Sequence, residues 1–570
     1  MVLKHTMFFL MTAQFTQGEK QMSNGKKKDQ LMFLDIETTM DHSRIHLVVT
    51  KNQQGKVECH RNVESLNQSI KGKTLIAHNG IGFDFPVLNK LWNTKIRLSQ
   101  VLDTLVLSRL MNPQRKHSLA AWGETLKFPK TDFKEFDEYS EEMQQYCIND
   151  VEVLEKVYQE LKKERTDYGF SQECINLEHE VASIVSRQVS RGFRIDLQKC
   201  KELVERLRTR MENLEKQLQQ SFRPIITERF SEKTGKRLKD DIEIFNPASR
   251  QQIAKRLTTL GWNPKKFTDK GTVIVDEAVL GSVDIPEAKL ICEYLLLQKR
   301  LAQSESWIKH TNDRSRVCGK VITNGAVTGR MTHHSPNLAQ VPSVSAPYGA
   351  ECRELWTVDA GHKLVGIDAS GLELRMLAHY MNDDNYTREI LDGDIHSKNQ
   401  QAAGLDTRAK AKTFIYAFLY GASARKIGTM VQSDGQETID KFMENVPALA
   451  KLKKRIEKTM QQTPTLPSLD GRRLHVRSAH SALNTLLQGA GAVVMKKALI
   501  IFNKYIKTYQ LDAHFVANVH DEWQVEAGVD DAELVGQLGV KAIVEAGKAL
   551  NLNCPLDGEY KVANNWKETH

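Results

Sequence analysis

Three apolar runs in this chain end in carboxylates: LMFLDIETT carries Asp35 and Glu37, KLVGIDAS reaches Asp368, and FVANVHDEWQVEA turns at His520, Asp521 and Glu522. Such a run reads as a buried strand that delivers acid to the rim of a sheet. Long stretches of helical periodicity separate the runs, so the chain must combine strands and helices throughout. Its 570 residues exceed what one hydrophobic core supports, which points to about three or four domains.

Residues 1–30, with Gly18, Gly25 and the run Lys26, Lys27, Lys28, carry no periodic pattern and read as a mobile tail; Met22 reads as an alternative translation start. From Leu31 to about Tyr168, strands such as KTLIAHN alternate with helical patterns, as in a mixed α/β domain. From Ser171 to Ser306 the text is helical. Two amphipathic stretches, LQKCKELVERLRTRMENLEKQLQQ and EAKLICEYLLLQKRLAQSESWIKH, flank a charged connector and are expected to project as an arm. After Asn324 come Gly-rich turns, the strand to Asp368, a helix-rich block, the strand pair around Asp521 and a last helix. There is no internal repeat.

Hydrophobic residues make up 40% and charged residues 26%, a composition that excludes a disordered chain. No apolar run reaches the roughly 20 residues of a membrane span, and the N-terminal MFFLM is too short for a signal core, so the sequence reads as intracellular. Lys and Arg outnumber Asp and Glu by 80 to 71, a net charge of +9 that agrees with a nucleic-acid partner without requiring one. The 8 cysteines form no CxxC pair, which argues against a zinc ribbon or a disulfide framework.

Asp35 and Glu37 stand at i and i+2, on one face of their strand. AHNGIGFDFPVL adds Asp84, and YCINDVEVL adds Tyr146 and Asp150 one helical turn apart. Four gathered acids repel unless divalent cations lie among them, and hard cations on carboxylate oxygens suit phosphodiester hydrolysis. In TRAKAKTFIYAFLYGA, Arg408, Lys412, Tyr416 and Tyr420 follow one helix face at steps of four, cations at one end and rings at the other. A triphosphate along that face would meet a guanidinium and an ammonium, and its base and sugar would meet the rings; Gly421 permits a bend just beyond. Asp368 and Asp521, from separate strands, could clamp two magnesium ions for in-line phosphoryl transfer. Asn484 and Gln488 share a helix face, with amides suited to the minor-groove acceptors of any base pair. Cations along the arm helices are expected to meet phosphates.

The order DIET, HNxxxFD, YxxxD resembles the proofreading 3′–5′ exonuclease domain of DNA polymerases, an RNase H-like fold, over residues 31 to 160. That resemblance implies that Asp35, Glu37, Asp84 and Asp150 hold metal, Tyr146 orients the attacking water and Asn79 contacts substrate. The pattern RxxxKxxxYxxxYG resembles the nucleotide-binding fingers helix of family A DNA polymerases, and with DASGLELR before it and HDE after it the set resembles motifs A, B and C of that family. The implied roles are Arg408, Lys412 and His396 on the triphosphate, Tyr416 on the sugar and Tyr420 near the template base. Asp368 and Asp521 are implied as metal ligands, with the Ala369 carbonyl as a lesser one, Glu522 as a supporting carboxylate and Glu373 as a guard against the ribose 2′ hydroxyl. Arg330 in TGR, Asn484, Gln488 and His520 are implied as DNA contacts. The hydroxyl form at Tyr416 implies ready acceptance of dideoxynucleotides.

The resemblance implies a multidomain α/β and α+β chain: a tail over 1–30, an exonuclease domain over 31–170, a thumb over 171–320, palm over 321–395 and 485–570, and fingers over 396–484. The implied function is template-directed, proofreading DNA synthesis of the tailed-phage type in the cytoplasm of an infected bacterium. Two Mg2+ in each site, replaceable by Mn2+, are implied as cofactors. Primed DNA, deoxynucleotides, a phage helicase-primase and a single-stranded DNA-binding protein are implied as partners, for a monomer without membrane contact. Two departures stand out. No 5′ nuclease domain precedes the exonuclease, and only a short connector, about Ser221 to Phe245, occupies the place where phage members carry a thioredoxin-capturing insertion, so thioredoxin is not expected as a partner. The rival readings are an exonuclease whose polymerase half only binds DNA, a non-catalytic clamp and a single-subunit RNA polymerase. Asp368, Asp521, Arg408 and Lys412 disfavour the first two, and Glu373 with the exonuclease domain disfavours the third.

Overall fold

The computed structural model describes residues 30–268 and 270–570, so the tail expected over 1–30, with Met22, lies outside the described residues except for Gln30. The chain divides into two compact units. One holds the described residues up to Ser108 with Arg115–Asp167; the other holds Arg109–Gln114 and Tyr168–His570.

In the first unit, β1 (Leu31–Thr38), β2 (Ile45–Asn52), β3 (Val57–His60), β4 (Thr74–Ala77) and β5 (Val101–Asp103) form one sheet in the order β3-β2-β1-β4-β5. β1 lies between an antiparallel and a parallel neighbour, which is why its apolar residues are buried in a near-continuous run. Its register shifts between Glu37 and Thr38, where the strand leaves the ladder. Helix α1 (Asp84–Leu91) follows β4, and α2 (Glu141–Tyr168) buries Met143, Cys147, Asp150, Val151 and Leu154 on one stripe.

The second unit opens with α3 (Gln172–Arg191), capped by the Ser171 hydroxyl on the Cys174 N–H. The arm helices are α4 (Leu197–Ser221) and α5 (Pro286–Lys309), which pack against each other. Between them the connector forms a small hairpin of β6 (Ile225–Thr227) and β7 (Asp241–Glu243), followed by further short helices. Ahead of the arm helices, α3 gives Leu177, Val181, Ile184 and Val185 to the core under the central sheet, because its apolar stripe faces that sheet. Several arm cations are also already paired: Arg208 with Glu205 and Glu305, Arg210 with Glu293.

β8 (His362–Ala369) leads into α6 (Leu372–Met381), then α7 (Ile395–Ala403), α8 (Arg408–Leu419) and α9 (Ala482–Thr508). β9 (Ala513–Val519), β10 (Glu522–Gly528), α10 (Ala532–Ala549) and β11 (Gly558–Ala563) complete the unit, with the sheet ordered β9-β10-β8-β11 and all pairings antiparallel. The sequence was expected to hold no apolar stretch long enough for a membrane, yet the helical stretch Ala479–Thr508 meets that length and composition. Its apolarity has a core cause: 78% of its most apolar window is buried, and α9 packs against α3 and α10.

Candidate active sites

The first site lies at the end of β1. Asp35 is half-buried, while Glu37, Asp84 and Asp150 are buried. β1 supplies the first two, the start of α1 supplies Asp84, and α2 supplies Asp150 with Tyr146 one turn before it. Burial, then the Asp150 charge, pushes Asp35 up to about 7, and burial followed by Asp35 and Asp150 pushes Glu37 up to about 9. Burial and Asp35 raise Asp84 well above the usual carboxylate range. The sequence-predicted quartet is therefore brought together, and its acids resist simultaneous ionisation.

Sequence reasoning missed two members of this site. Lys130 Nζ donates to Asp150 Oδ2 at 2.5 Å and lies 4.5 Å from the centre of the Tyr146 ring. Asp150 still rises to about 6 through burial, with Lys130 opposing the shift. Cys147, fully buried, donates its thiol to Asp35 Oδ2 at 3.6 Å, and burial raises that thiol well above its ordinary range. Tyr146 also stacks among Phe133 and Phe136. Asn79 is exposed at a positive φ of 68°, in a loop whose backbone N–H groups at Asn79 and Ile81 donate to the buried carboxylate of Asp103.

The second site lies where β8 meets the β9–β10 turn. Asp368 faces Glu522 in the strand register, and the Ala369 N–H donates to the Asp521 carbonyl at 3.1 Å, so both aspartates stand at one rim of the sheet. His520 takes a φ of 58°, which turns the chain sharply at that point. Burial and then Asp521 raise Asp368 to about 7; burial and then Glu373 raise Asp521 to about 6. Burial alone would raise Glu522 too, but hydrogen bonds hold it below its ordinary value. Its Oε1 accepts from Trp566 Nε1 at 2.8 Å and Gln524 Nε2 at 2.5 Å, and its Oε2 bonds His570 Nε2 at 2.8 Å. Sequence reasoning had no signal for Trp566 or His570.

Glu373, in the first turn of α6, accepts from Arg330 Nη2 at 2.8 Å and from the Tyr420 hydroxyl at 3.0 Å. Three residues read separately from the sequence thus share one carboxylate oxygen. On α8, Lys412 is exposed, Tyr416 half-buried and Tyr420 exposed at the C-cap, followed by Gly421 at a φ of 72°. Arg408 Nε and Nη2 donate to Asp394 at 2.7 and 3.1 Å, and Asp394 also caps α7 through the His396 N–H. The His396 ring lies at a tilt beside that of Tyr416, with ring centres 6.2 Å apart, and its Nδ1 is buried without a partner. On α9, Asn484 and Gln488 are half-buried on one face. This arrangement places cations, rings and an imidazole on one helix pair within the unit that carries Asp368 and Asp521.

The chain matches the family model for DNA polymerase family A over residues 197–568, and that for the 3′–5′ exonuclease over residues 21–165. It is 34% identical to the DNA-directed DNA polymerase of Enterobacteria phage T3, covering 89% of this chain and 94% of that protein. The T3 alignment runs over 666 positions, so the relative carries residues with no counterpart here. With the DNA-directed DNA polymerase of Escherichia phage T7 the identity is also 34%, over 88% and 93%. DNA polymerase I of Aquifex aeolicus is 26% identical over 98% and 100%. Among solved structures, the POL domain of Pol1 from M. smegmatis, in complex with DNA primer-template and dNTP, superposes with a TM-score of 0.79 at 16% identity, over 95% of this chain and 96% of that one, a likeness of fold. With the strand-end aspartates, the helix stripe and the acid quartet in family order, the chain belongs to DNA polymerase family A and is a DNA-directed DNA polymerase with a 3′–5′ exonuclease domain.

Proposed function

We propose that Asp368 and Asp521, with the Ala369 carbonyl, hold two Mg2+ ions in the polymerase site, and that Asp35, Glu37, Asp84 and Asp150 hold two in the exonuclease site, Mn2+ being able to substitute. Domains of both kinds depend on divalent metal. The donor sets fit such ions: their carboxylate oxygens are gathered, buried and mutually repelling, so that burial and neighbouring acids raise Asp35 and Asp368, and Asp150 Oδ1 is buried with no partner. Bound there, the ions supply the positive charge that acidifies an attacking oxygen and stabilises a departing one.

The chain's own residues do the rest. Arg408, Lys412 and His396 bind the triphosphate, with Arg408 exchanging Asp394 for phosphate oxygens. Tyr416 packs on the sugar, Tyr420 stands near the template base, and Glu373 excludes a 2′ hydroxyl. Glu522 steadies the Asp521 turn. Arg330, His520, Asn484 and Gln488 hold the primer duplex, and in the exonuclease site Tyr146 orients water while Asn79 contacts the strand being shortened. The boundaries we propose are exonuclease over 31–170, thumb over 171–320, palm over 321–395 and 485–570, and fingers over 396–484. The setting is phage replication in a bacterial cytoplasm, as a monomer with a helicase-primase and a single-stranded DNA-binding protein. Among the described residues the connector between α4 and α5 carries a small hairpin and short helices, so added thioredoxin is expected to leave product length per binding event unchanged; a clear increase would refute this.

The observation that carries the reading is the pairing of Asp368 against Glu522, with Ala369 bonded to Asp521, which sets two aspartates at one sheet rim. The test is extension of an end-labelled primer with Mg2+, comparing four deoxynucleotides, four ribonucleotides and none. Growth with deoxynucleotides alone, and shortening without nucleotides, is expected. Growth that persists in D368N or D521N would refute the roles of those aspartates.

A further inference from the structure

The exonuclease centre contains a group that an oxygen-only site does not need. Cys147 Sγ lies against Asp35, and Asp35, Glu37 and Cys147 each present one ligand atom within 4.8 Å of the others. A buried cysteine ordinarily packs as a small apolar residue. This one is fully buried, yet its thiol is directed at a carboxylate of the acid cluster. The same cluster holds a second sign of an unfilled ligand position: Asp150, 3% exposed, has a buried Oδ1 with no partner. Asp150 and Cys147 stand on the same stripe of α2, three residues apart, so both project from consecutive turns of one helix.

We propose that Cys147 is a sulfur ligand of this centre, which shifts its preference toward soft divalent cations such as Cd2+ and Zn2+ over hard ones. The inference rests on the reading that Asp35 and Glu37 bind divalent metal. Thiolate favours Zn2+ and Cd2+ over Mg2+ and Mn2+, whereas carboxylate oxygen accepts all four. On binding, the Cys147 S–H bond breaks, its proton passes to solvent, and the sulfur electron pair forms the metal–sulfur bond. The thiol's present hydrogen bond to Asp35 is lost in the exchange. Mg2+ would ignore the sulfur and bind the carboxylates alone, so Cys147 acts on which cation the site retains and not on the reaction with Mg2+.

The test is Cd2+ titration of the full chain, reading the ultraviolet sulfur-to-cadmium charge-transfer band, in wild type, C147S, C147A and the double variant D35N/E37Q. The other 7 cysteines are common to all four proteins, so the wild-type minus C147S difference reports Cys147. Expected is one equivalent of sulfur–cadmium band that is lost in C147S and C147A, both melting within a few degrees of wild type, and that excess Mn2+ reduces. The same band in wild type and both Cys147 variants would overturn the proposal. Mn2+ binding, followed by its paramagnetic resonance, tests the underlying reading separately: undiminished Mn2+ binding in D35N/E37Q would refute the carboxylate site even where the Cys147 band is present. If C147S does not fold, the C147A difference spectrum decides alone, and if neither folds, protection of Cys147 by Cd2+ against alkylation in urea-pulsed wild type decides, its absence counting against the proposal.

Discussion

Replacing Trp566 by phenylalanine tests whether the C-terminal residues hold the polymerase carboxylates in place. Trp566 is 1% exposed, stacks near Phe193 and Trp356 and lies under the Arg353 guanidinium; its one polar atom donates to Glu522, itself 8% exposed. Loss of a hydrogen bond to a charged acceptor costs about 1.5–3 kcal/mol, and the smaller ring adds about 1 kcal/mol of lost packing. Together these give about 3 kcal/mol. At about 2.1 cal/mol/K per residue over the roughly 400 residues of the second unit, the unfolding entropy is about 0.8 kcal/mol/K, so the midpoint falls by about 4 °C. Thermal melts followed by circular dichroism, on W566F, E522Q and the double variant, isolate the pair: a coupling of about 1.5 kcal/mol is expected. Because folding lowers the Glu522 pKa, its contribution is present above the ordinary glutamate value and is lost as pH falls through the folded value, so the coupling should shrink in acid. Additivity within about 0.5 kcal/mol at neutral pH would refute the reasoning.

Tyr416→Phe should raise discrimination against dideoxynucleotides, whereas the native chain should discriminate by less than about a hundredfold, or about 2.8 kcal/mol; single-nucleotide incorporation rates with both substrates decide. Burial holds His333 neutral down to about 4, so below the unfolded value near 6.5 only the unfolded chain gains a proton, and stability should fall by up to about 3 kcal/mol between pH 6.5 and 4; acid melts of H333N should lose most of that slope. Since Asp368 and Asp521 are raised to about 7 and about 6, Mg2+ must displace protons there at low pH, and its stabilisation of the second unit should be larger at pH 8 than at pH 6, which melts with and without Mg2+ measure. An equal gain at both would contradict the raised values.

What the sequence disclosed of each site was the part carried by a regular element. Strand alternation predicted Asp35 and Glu37 on one face, helical spacing predicted Tyr146 above Asp150, and the steps of four from Arg408 to Tyr420 follow α8 to its cap. What stayed hidden reaches the sites through tertiary packing alone. Lys130 lies in an irregular segment 20 residues before Asp150, and Trp566 and His570 come 44 and 48 residues after Glu522, at distances where no periodicity operates. Cys147 stood in the sequence only as one of eight scattered cysteines; it falls on the buried stripe of α2, and such a stripe does not say which side chain lies opposite. The same limit applies to α3: its amphipathic pattern marks a helix with one apolar face, and only the fold shows that this face enters the sheet core.

The two centres face the same electrostatic problem and relieve it differently. Each gathers carboxylates whose burial and mutual repulsion raise their pKa values. In the exonuclease centre part of the relief is a resident ammonium: Lys130 touches Asp150 directly, and Asp150 rises only to about 6, while Glu37, without such a contact, rises to about 9. In the polymerase centre no lysine is bonded to Asp368 or Asp521 among the described hydrogen bonds and ion pairs, and the relief falls on Glu522, which is kept ionised by N–H donors from Trp566, Gln524 and His570. A lysine on a metal-site carboxylate competes with an incoming cation, whereas donors to a neighbouring carboxylate do not. On the proposed metal reading, a cation at the polymerase rim would displace no bonded lysine, whereas one at the exonuclease centre would meet Lys130 on Asp150 Oδ2 and share that carboxylate with it or displace it.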